Sequence, residues 1–289
     1  MTIDGYTRVC GLIGNPVEHT VSPAIHNFLA EKTGCNLAYV PFHVGTGHLG
    51  DAVKGAYALN LLGLNVTVPY KSDVLPFLEE TDELAAQIGA VNTLVRVPGG
   101  FKGYNTDMPG LYRAMQSDGV KVEGEKALIL GAGGVARAVA VMLAAKGAGE
   151  ILILNRTPQR AEQIADEVNA ITGKKLAKGL GLEAYRSFPE GEKYLGIQAT
   201  SVGMYPDVDA VLLEDPDFYR RLHTGYDLIF NPLETRFMKL TRQAGGRAFH
   251  GLKMLLYQGI IAYELWTDCE ITEKLAQETY ENMQARMGK

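Results

Sequence analysis

The run Gly131-Ala132-Gly133-Gly134-Val135-Ala136 follows the apolar stretch Ala127-Leu128-Ile129-Leu130 and opens an alanine-rich segment closed by Gly147. This is the G-x-G-x-x-A form of the dinucleotide fingerprint in a strand-turn-helix setting. Gly131 permits the tight turn, Gly133 lets the backbone approach a pyrophosphate, and Ala136 allows close packing of the helix on the strand. Amides at the helix start then face the phosphates. Gly131, Ala132, Gly133, Gly134 and Val135 are therefore candidate cofactor residues. Enzymes that use NAD carry an acid about twenty residues further on, at the end of the next strand, to bind the ribose hydroxyls. Here that place holds Asn155, followed by Arg156, Thr157 and Arg160. Two guanidinium groups and a hydroxyl suit a 2′-phosphate, which an acid would repel. The pattern predicts NADP, with Arg156 and Arg160 as the clamp; the competing reading is two solvated arginines at a helix start.

The first half carries polar groups where predicted strands end, the edge at which open parallel sheets hold their ligands. In Gly14-Asn15-Pro16-Val17-Glu18-His19-Thr20-Val21-Ser22-Pro23, Pro23 suits the first helical position and Ser22 the cap. Thr20 and Ser22 could equally present both hydroxyls to a carboxylate, and the pattern leaves cap and ligand open. Lys71 ends the run Asn65-Val66-Thr67-Val68-Pro69-Tyr70-Lys71 just before a helix, where a lone lysine is ordinarily solvated. Asn92, in Ala90-Val91-Asn92-Thr93, and Asp107, in Gly103-Tyr104-Asn105-Thr106-Asp107, supply an amide and a carboxylate that could fix the hydroxyls of a polar ring.

Short apolar runs bounded by Gly or Pro alternate with helical segments in both halves, a pattern of parallel sheets covered by helices. Strands are expected over 9–14, 37–44, 63–68 and 90–97. Pro98-Gly99-Gly100 reads as a hairpin turn into a strand over 101–104 that runs antiparallel. After the polar stretch Lys121-Val122-Glu123-Gly124-Glu125, strands are expected over 127–130, 151–154, 196–200, 227–230 and 247–249. The segment 253–287 is helical in composition and long enough to reach back over the first domain. The fold class is α/β: an N-terminal, open, mainly parallel substrate-binding and catalytic domain over 1–106, joined by the helices of 253–289, and a Rossmann-type NADP-binding domain over 107–252.

A chain of 289 residues with 46% hydrophobic and 21% charged residues can bury two cores and has the balance of a folded globular protein. Its net charge of -5 opposes a nucleic-acid partner, which would need a basic face. Cys10, Cys35 and Cys269 have no paired spacing, so neither a disulfide framework nor a cysteine zinc site is expected. The histidines lack metalloprotease spacing, and no metal is expected. The start has no basic region followed by an apolar run, and no stretch reaches the length of a membrane span. A cytoplasmic protein with a small-molecule substrate is expected, monomer or homodimer.

In this chain Asn15-Pro16-Val17, His19-Thr20, Ser22-Pro23, Val66-Thr67-Val68-Pro69-Tyr70-Lys71, Ala90-Val91-Asn92-Thr93 and Gly103-Tyr104-Asn105-Thr106-Asp107 occur in the order seen in shikimate dehydrogenases. The resemblance continues through Gly131 to Ala136, Asn155-Arg156-Thr157, Ala199-Thr200-Ser201-Val202-Gly203-Met204 and Gly251-Leu252-Lys253-Met254-Leu255-Leu256-Tyr257-Gln258, so that the chain resembles the family from end to end. The resemblance implies NADP-dependent, reversible reduction of 3-dehydroshikimate to shikimate, in the pathway to chorismate and the aromatic amino acids. It implies Lys71 and Asp107 as the catalytic pair, with Lys71 handling the proton or stabilising charge on oxygen. Thr20 and Ser22 match the hydroxyls that receive the substrate carboxylate, and Thr67, Asn92, Asp107 and Gln258 match positions that bind ring hydroxyls. Thr200, Leu228, Gly251 and Met254 match the cofactor side, as does Glu83. Two departures bear on substrate preference: Thr20 stands where the family commonly has serine, and Phe230, a candidate substrate contact, where it often has tyrosine. The alternatives are a quinate/shikimate dehydrogenase paralogue using NAD or a related ring acid, and a dinucleotide-binding sensor without turnover.

Overall fold

Apolar runs alternating with helices build two separate six-stranded sheets in the computed structural model, which describes residues 2–287. The chain divides into two compact units, Met1–Gly110 with Leu255–Lys289, and Leu111–Met254. The first unit begins with β1 (Arg8–Gly14), α1 (Ser22–Thr33), β2 (Leu37–His43), α2 (Leu49–Ala58) and β3 (Gly63–Val66). It continues with β4 (Glu80–Thr81), α3 (Glu83–Ile88), β5 (Thr93–Val97), β6 (Gly100–Tyr104) and the start of α4 (Asp107–Ser117). The strand order is β2-β1-β3-β5-β6-β4.

The reversed strand is not the one expected. β5 runs antiparallel to both neighbours, β3 and β6, whereas the strand expected to be reversed, β6, is parallel to β4. A parallel return to β3's neighbour would need a connection that carries the chain back to the other end of the sheet. Between β3 and β5 the chain instead uses its pass along the sheet for β4 at the far edge, then turns through the six-residue α3 and enters β5 from the opposite end. The amino end of β5 therefore shares a sheet edge with the carboxyl ends of β3 and β6. Asn65, Thr93 and Tyr104 are direct neighbours across the three strands.

The second unit holds β7 (Lys126–Leu130), α5 (Gly134–Ala145), β8 (Glu150–Asn155), α6 (Pro158–Thr172) and β9 (Ala177–Gly181). It continues with β10 (Tyr194–Gln198), α7 (Pro216–Tyr219), β11 (Leu222–Asp227), α8 (Arg236–Gln243) and β12 (Arg247–Phe249). All neighbours are parallel in the order β12-β11-β10-β7-β8-β9, which is the doubly wound arrangement of dinucleotide-binding sheets. Two strands end earlier than expected, each because a side chain captures the backbone that the ladder would have used. The Gln198 carboxamide accepts the Thr200 N–H at 2.7 Å and donates to the Val202 carbonyl at 3.0 Å, curling 199–202 into a turn. Asp227 Oδ1 accepts the Ile229 N–H at 3.0 Å, so the strand placed over 227–230 is in fact Leu222–Asp227 and residues 228–230 leave the sheet.

The last helices are α9 (Leu252–Thr267) and α10 (Glu273–Met287). From Leu255 onward they complete the first unit. The Tyr263 hydroxyl lies 2.6 Å from Thr33 Oγ1, Asn282 Nδ2 donates to the Ala24 carbonyl at 3.0 Å, and Trp266 Nε1 donates to the Leu94 carbonyl at 2.9 Å. His26 is buried beside them, stacked on Tyr39 with ring centroids 4.2 Å apart. Burial pushes its imidazole down to about 3, so it is a neutral core residue. The first unit's core gathers Val53, Leu64, Val66, Val74, Leu94 and Phe101; the second's gathers Leu128, Leu152, Tyr185, Tyr194, Phe218 and Phe237.

Candidate active site

In the first unit the sheet edge described above assembles a polar cluster. Lys71 is set just beyond β3 by its neighbours on the chain. The buried Tyr70 donates its hydroxyl to the Val44 carbonyl at 2.7 Å, and the Lys71 carbonyl accepts the Val91 N–H at 2.8 Å. Lys71 Nζ then reaches Asp107 Oδ2 at 2.7 Å. Asp107 is the first residue of α4, where the helix dipole favours an anion. Its other oxygen, Oδ1, accepts a hydrogen bond from Asn92 Nδ2 at 2.8 Å. Both carboxylate oxygens are thus committed, and the lysine points at a fixed partner.

Asn92 is held just as firmly. Its Oδ1 accepts the Thr106 N–H at 2.7 Å, and its Nδ2 lies 3.5 Å from Gln258 Oε1 on α9, a loose approach rather than a strong bond. α4 comes that close to α9 because position 110 is glycine: a Cβ there would lie 2.6 Å from the Gln258 backbone nitrogen. Behind Asn92 is a buried relay that the sequence reading did not include. The Tyr39 hydroxyl donates to Asn65 Oδ1 at 2.7 Å, and Asn65 Nδ2 donates to Thr93 Oγ1 at 3.1 Å and to the Asn92 carbonyl at 3.2 Å. Burial raises the Tyr39 phenol well above its usual range, so it stays a donor. Asn65 sits in the middle of an apolar strand, and a polar residue there must find partners; that is the signal that could have found it.

Thr20 lies in the loop after β1 and Ser22 at the start of α1, and that loop is tied to the one after β3 by the Asn15 N–H donating to the Val68 carbonyl at 3.0 Å. The expected cap is corrected: Val21 occupies the cap position of α1 without a side-chain bond, and Ser22 is already helical. The two hydroxyls engage each other instead, Thr20 Oγ1 donating to Ser22 Oγ and accepting the Ser22 N–H, both at 3.2 Å. Thr67 is half-buried immediately after β3. Glu83 is exposed on the first turn of α3, where Gln87 donates to it at 3.4 Å.

In the second unit Gly131 has φ of 110°, a conformation that L side chains rarely adopt, and a Cβ on it would lie 2.6 Å from Thr200 Cγ2. Side chains at Gly133 and Gly134 would instead project into open space, and α5 starts at Gly134 with Gly133 at the cap position and no side-chain cap. A backbone cradle emptied of Cβ atoms at a helix start fits the pyrophosphate of a dinucleotide. Asn155 closes β8 and donates from Nδ2 to the Thr157 carbonyl at 3.0 Å. Arg156 and Arg160 follow, both exposed, and neither forms an ion pair among the described residues. Thr200, Leu228, Met254 and Val135 line one apolar cavity of about 330 Å³, and Phe230 lines it with them, on the unit that carries the glycine turn. Gly251 packs against the Leu228 backbone and donates its N–H to the Ile229 carbonyl at 3.0 Å.

The loop that carries Leu228 and Phe230 is fastened by Asp227, a buried acid the sequence reading did not single out. Its Oδ2 accepts the Thr235 hydroxyl at 2.6 Å, and Thr235 also caps α8. Burial raises the Asp227 carboxyl to about 6, against the lowering effect of the bonds from Thr235 and Ile229. Because the folded value lies above the ordinary 3.8, the stability contribution is full below that value and is lost as pH rises through about 6. The unfolding midpoint of wild type minus that of Asp227→Asn should therefore fall across this window. A difference that stays flat with pH counts against the assignment. Among the described residues, no group of His, Cys, Asp and Glu could hold a metal ion, and no helix is long and apolar enough to cross a membrane.

Residues 12–94 match the shikimate dehydrogenase substrate binding domain, and residues 113–180 match shikimate / quinate 5-dehydrogenase. The shikimate dehydrogenase (NADP(+)) of Moorella thermoacetica is 44% identical over 268 residues, 91% of this chain and 89% of that protein. The enzyme of the same name from Desulforamulus reducens is 42% identical over 279 residues, 92% of this chain and 91% of that protein. A crystal structure of a shikimate dehydrogenase in complex with NADP+ is similar with a TM-score of 0.90 and 37% identity, covering 100% of this chain and 98% of that one.

Proposed function

This chain belongs to the shikimate dehydrogenase family, and on that premise we propose that it catalyses the NADP-dependent, reversible reduction of 3-dehydroshikimate to shikimate. The observation that carries the reading is the Lys71–Asp107–Asn92 constellation, an ammonium and an amide locked onto one carboxylate at 2.7 and 2.8 Å.

NADPH supplies the hydride for the ring ketone, and the residues of this chain deal with what that leaves. Negative charge develops on the ketone oxygen, and an ammonium directed at it stabilises the charge and delivers the proton. Lys71 does this. Asp107 keeps the lysine aimed, and with Asn92 and Gln258 it offers acceptors and donors to the ring hydroxyls. Thr67 adds a hydroxyl to the same set. Thr20 and Ser22 receive the substrate carboxylate; their present bond to each other is exchanged for two bonds to the ligand. Gly131, Ala132, Gly133 and Gly134 hold the pyrophosphate, Asn155, Arg156, Thr157 and Arg160 the 2′-phosphate, and Val135, Thr200, Leu228, Gly251 and Met254 the nicotinamide side. Glu83 is assigned to the cofactor side and Phe230 to the substrate. Three free thiols suit a reducing, cytoplasmic setting.

The test is a direct one: shikimate and quinate, each with NADP+ and NAD+, followed by nicotinamide absorbance. Shikimate with NADP+ should give the highest kcat/KM, and absence of turnover with all four pairs would leave only a nucleotide-binding sensor. Ser22→Ala should raise KM for shikimate roughly tenfold with kcat little changed, as expected when binding common to ground and transition state is removed. An unchanged KM removes Ser22 from the carboxylate site.

A further inference from the structure

Beside the glycine turn lies a second cavity of about 300 Å³, lined by Gly133, Gly134, Arg137, Arg160, Gln163 and Glu167 among others. Glu167 is out of place there. A carboxylate in a cavity next to a 2′-phosphate would repel it, as the absent acid at Asn155 would have done. Yet Glu167 is not exposed to the cavity as a bare charge: its Oε2 accepts a bond from Arg137 Nε at 2.5 Å, and its Oε1 accepts one from Gln163 Nε2 at 3.3 Å. The pair is about one-third exposed, with side-chain accessibilities of 27% and 35%.

We propose that Arg137 determines preference for the 2′-phosphate: paired with Glu167, it cancels the one acid of the cavity and leaves Arg160 and Arg156 to act unopposed. This rests on the NADP reading above. The pair is built across two helices, Arg137 from the first turn of α5 and Glu167 from α6, so the α5 helix that carries the glycine turn also carries the charge that protects its ligand. Removing Arg137 alone then uncovers the acid, whereas removing both partners leaves the cavity without it. The expected signature is non-additivity, which a mere helix-helix strut would not give on a phosphate-specific scale.

The experiment is calorimetric titration with adenosine 2′,5′-bisphosphate and with 5′-AMP, probes that differ only in the 2′-phosphate. Arg137→Ala should weaken the bisphosphate roughly tenfold or more and 5′-AMP little, and Arg137→Ala with Glu167→Ala should recover most of that loss. Glu167→Gln, close in shape to wild type, should raise the preference for the bisphosphate by about threefold by removing the acid while keeping a partner for Arg137. Equal losses on both probes, or a preference that Glu167→Gln leaves unchanged or lowers, overturns the proposal and leaves the NADP reading standing. A wild-type protein that does not distinguish the probes overturns the NADP reading, and this proposal with it.

Discussion

Lys71→Ala is expected to lower kcat by roughly 10²–10⁴, the span of general acid-base groups, with little change in NADPH affinity. The lysine is not free to be replaced by a neighbour, because it is the ammonium bound to Asp107 at 2.7 Å, and Asp107's second oxygen already serves Asn92. Loss of Lys71 therefore leaves a carboxylate with one of its two side-chain donors gone and no cation at the reacting oxygen. Asp107→Ala should cost a similar factor through the opposite route, a lysine that is present but no longer aimed. Because the two act as one unit, the double variant should lose little more than the worse single one. Single-turnover measurements of the hydride step with each variant check this. Near-normal turnover in Lys71→Ala removes the pair from the chemistry, and strict additivity of the two losses separates their roles.

Arg156→Ala combined with Arg160→Ala is expected to reduce kcat/KM for NADPH by roughly 10²-fold while changing that for NADH less than about threefold. Hydrogen bonds to charged groups contribute about 1.5–3 kcal/mol each where solvent is partly excluded, and these two guanidinium groups flank the end of β8 where Asn155 stands in place of an acid. The effect should shrink in high salt because both arginines are exposed. The ratio of the two kcat/KM values, measured at one ionic strength, is the decisive quantity. A ratio that survives the double substitution moves recognition of the 2′-phosphate to other residues.

Much of the site was legible in the chain itself. The glycine turn, Asn155 and the arginines announce themselves because local backbone geometry and charge demand those residue types at those spacings, and such demands act over a few residues. Asn92 and Asp107 could be singled out as polar groups at strand ends, and Lys71 only as one more lysine before a helix. That Lys71 and Asp107 form one ion pair came from the resemblance, and the distance comes from the fold. The turn residues also located most strands, but not β9, whose Ala177-Lys178-Gly179-Leu180-Gly181 has two glycines and no β-branched or aromatic side chain, and which pairs as a strand because β8 offers a parallel edge.

What tertiary structure alone decided is direction and partnership. Residue order says nothing about which way β5 runs; that follows from β4 occupying the far edge, and it is the reversal that delivers Asn92 to the same edge as Lys71 and Asp107. Likewise the relay through Tyr39, Asn65 and Thr93 joins residues from three strands whose side chains meet only after the sheet is in register. Local propensity is carried by neighbours along the chain and can be read there, whereas a buried polar group takes whatever donor or acceptor the packed sheet brings to it.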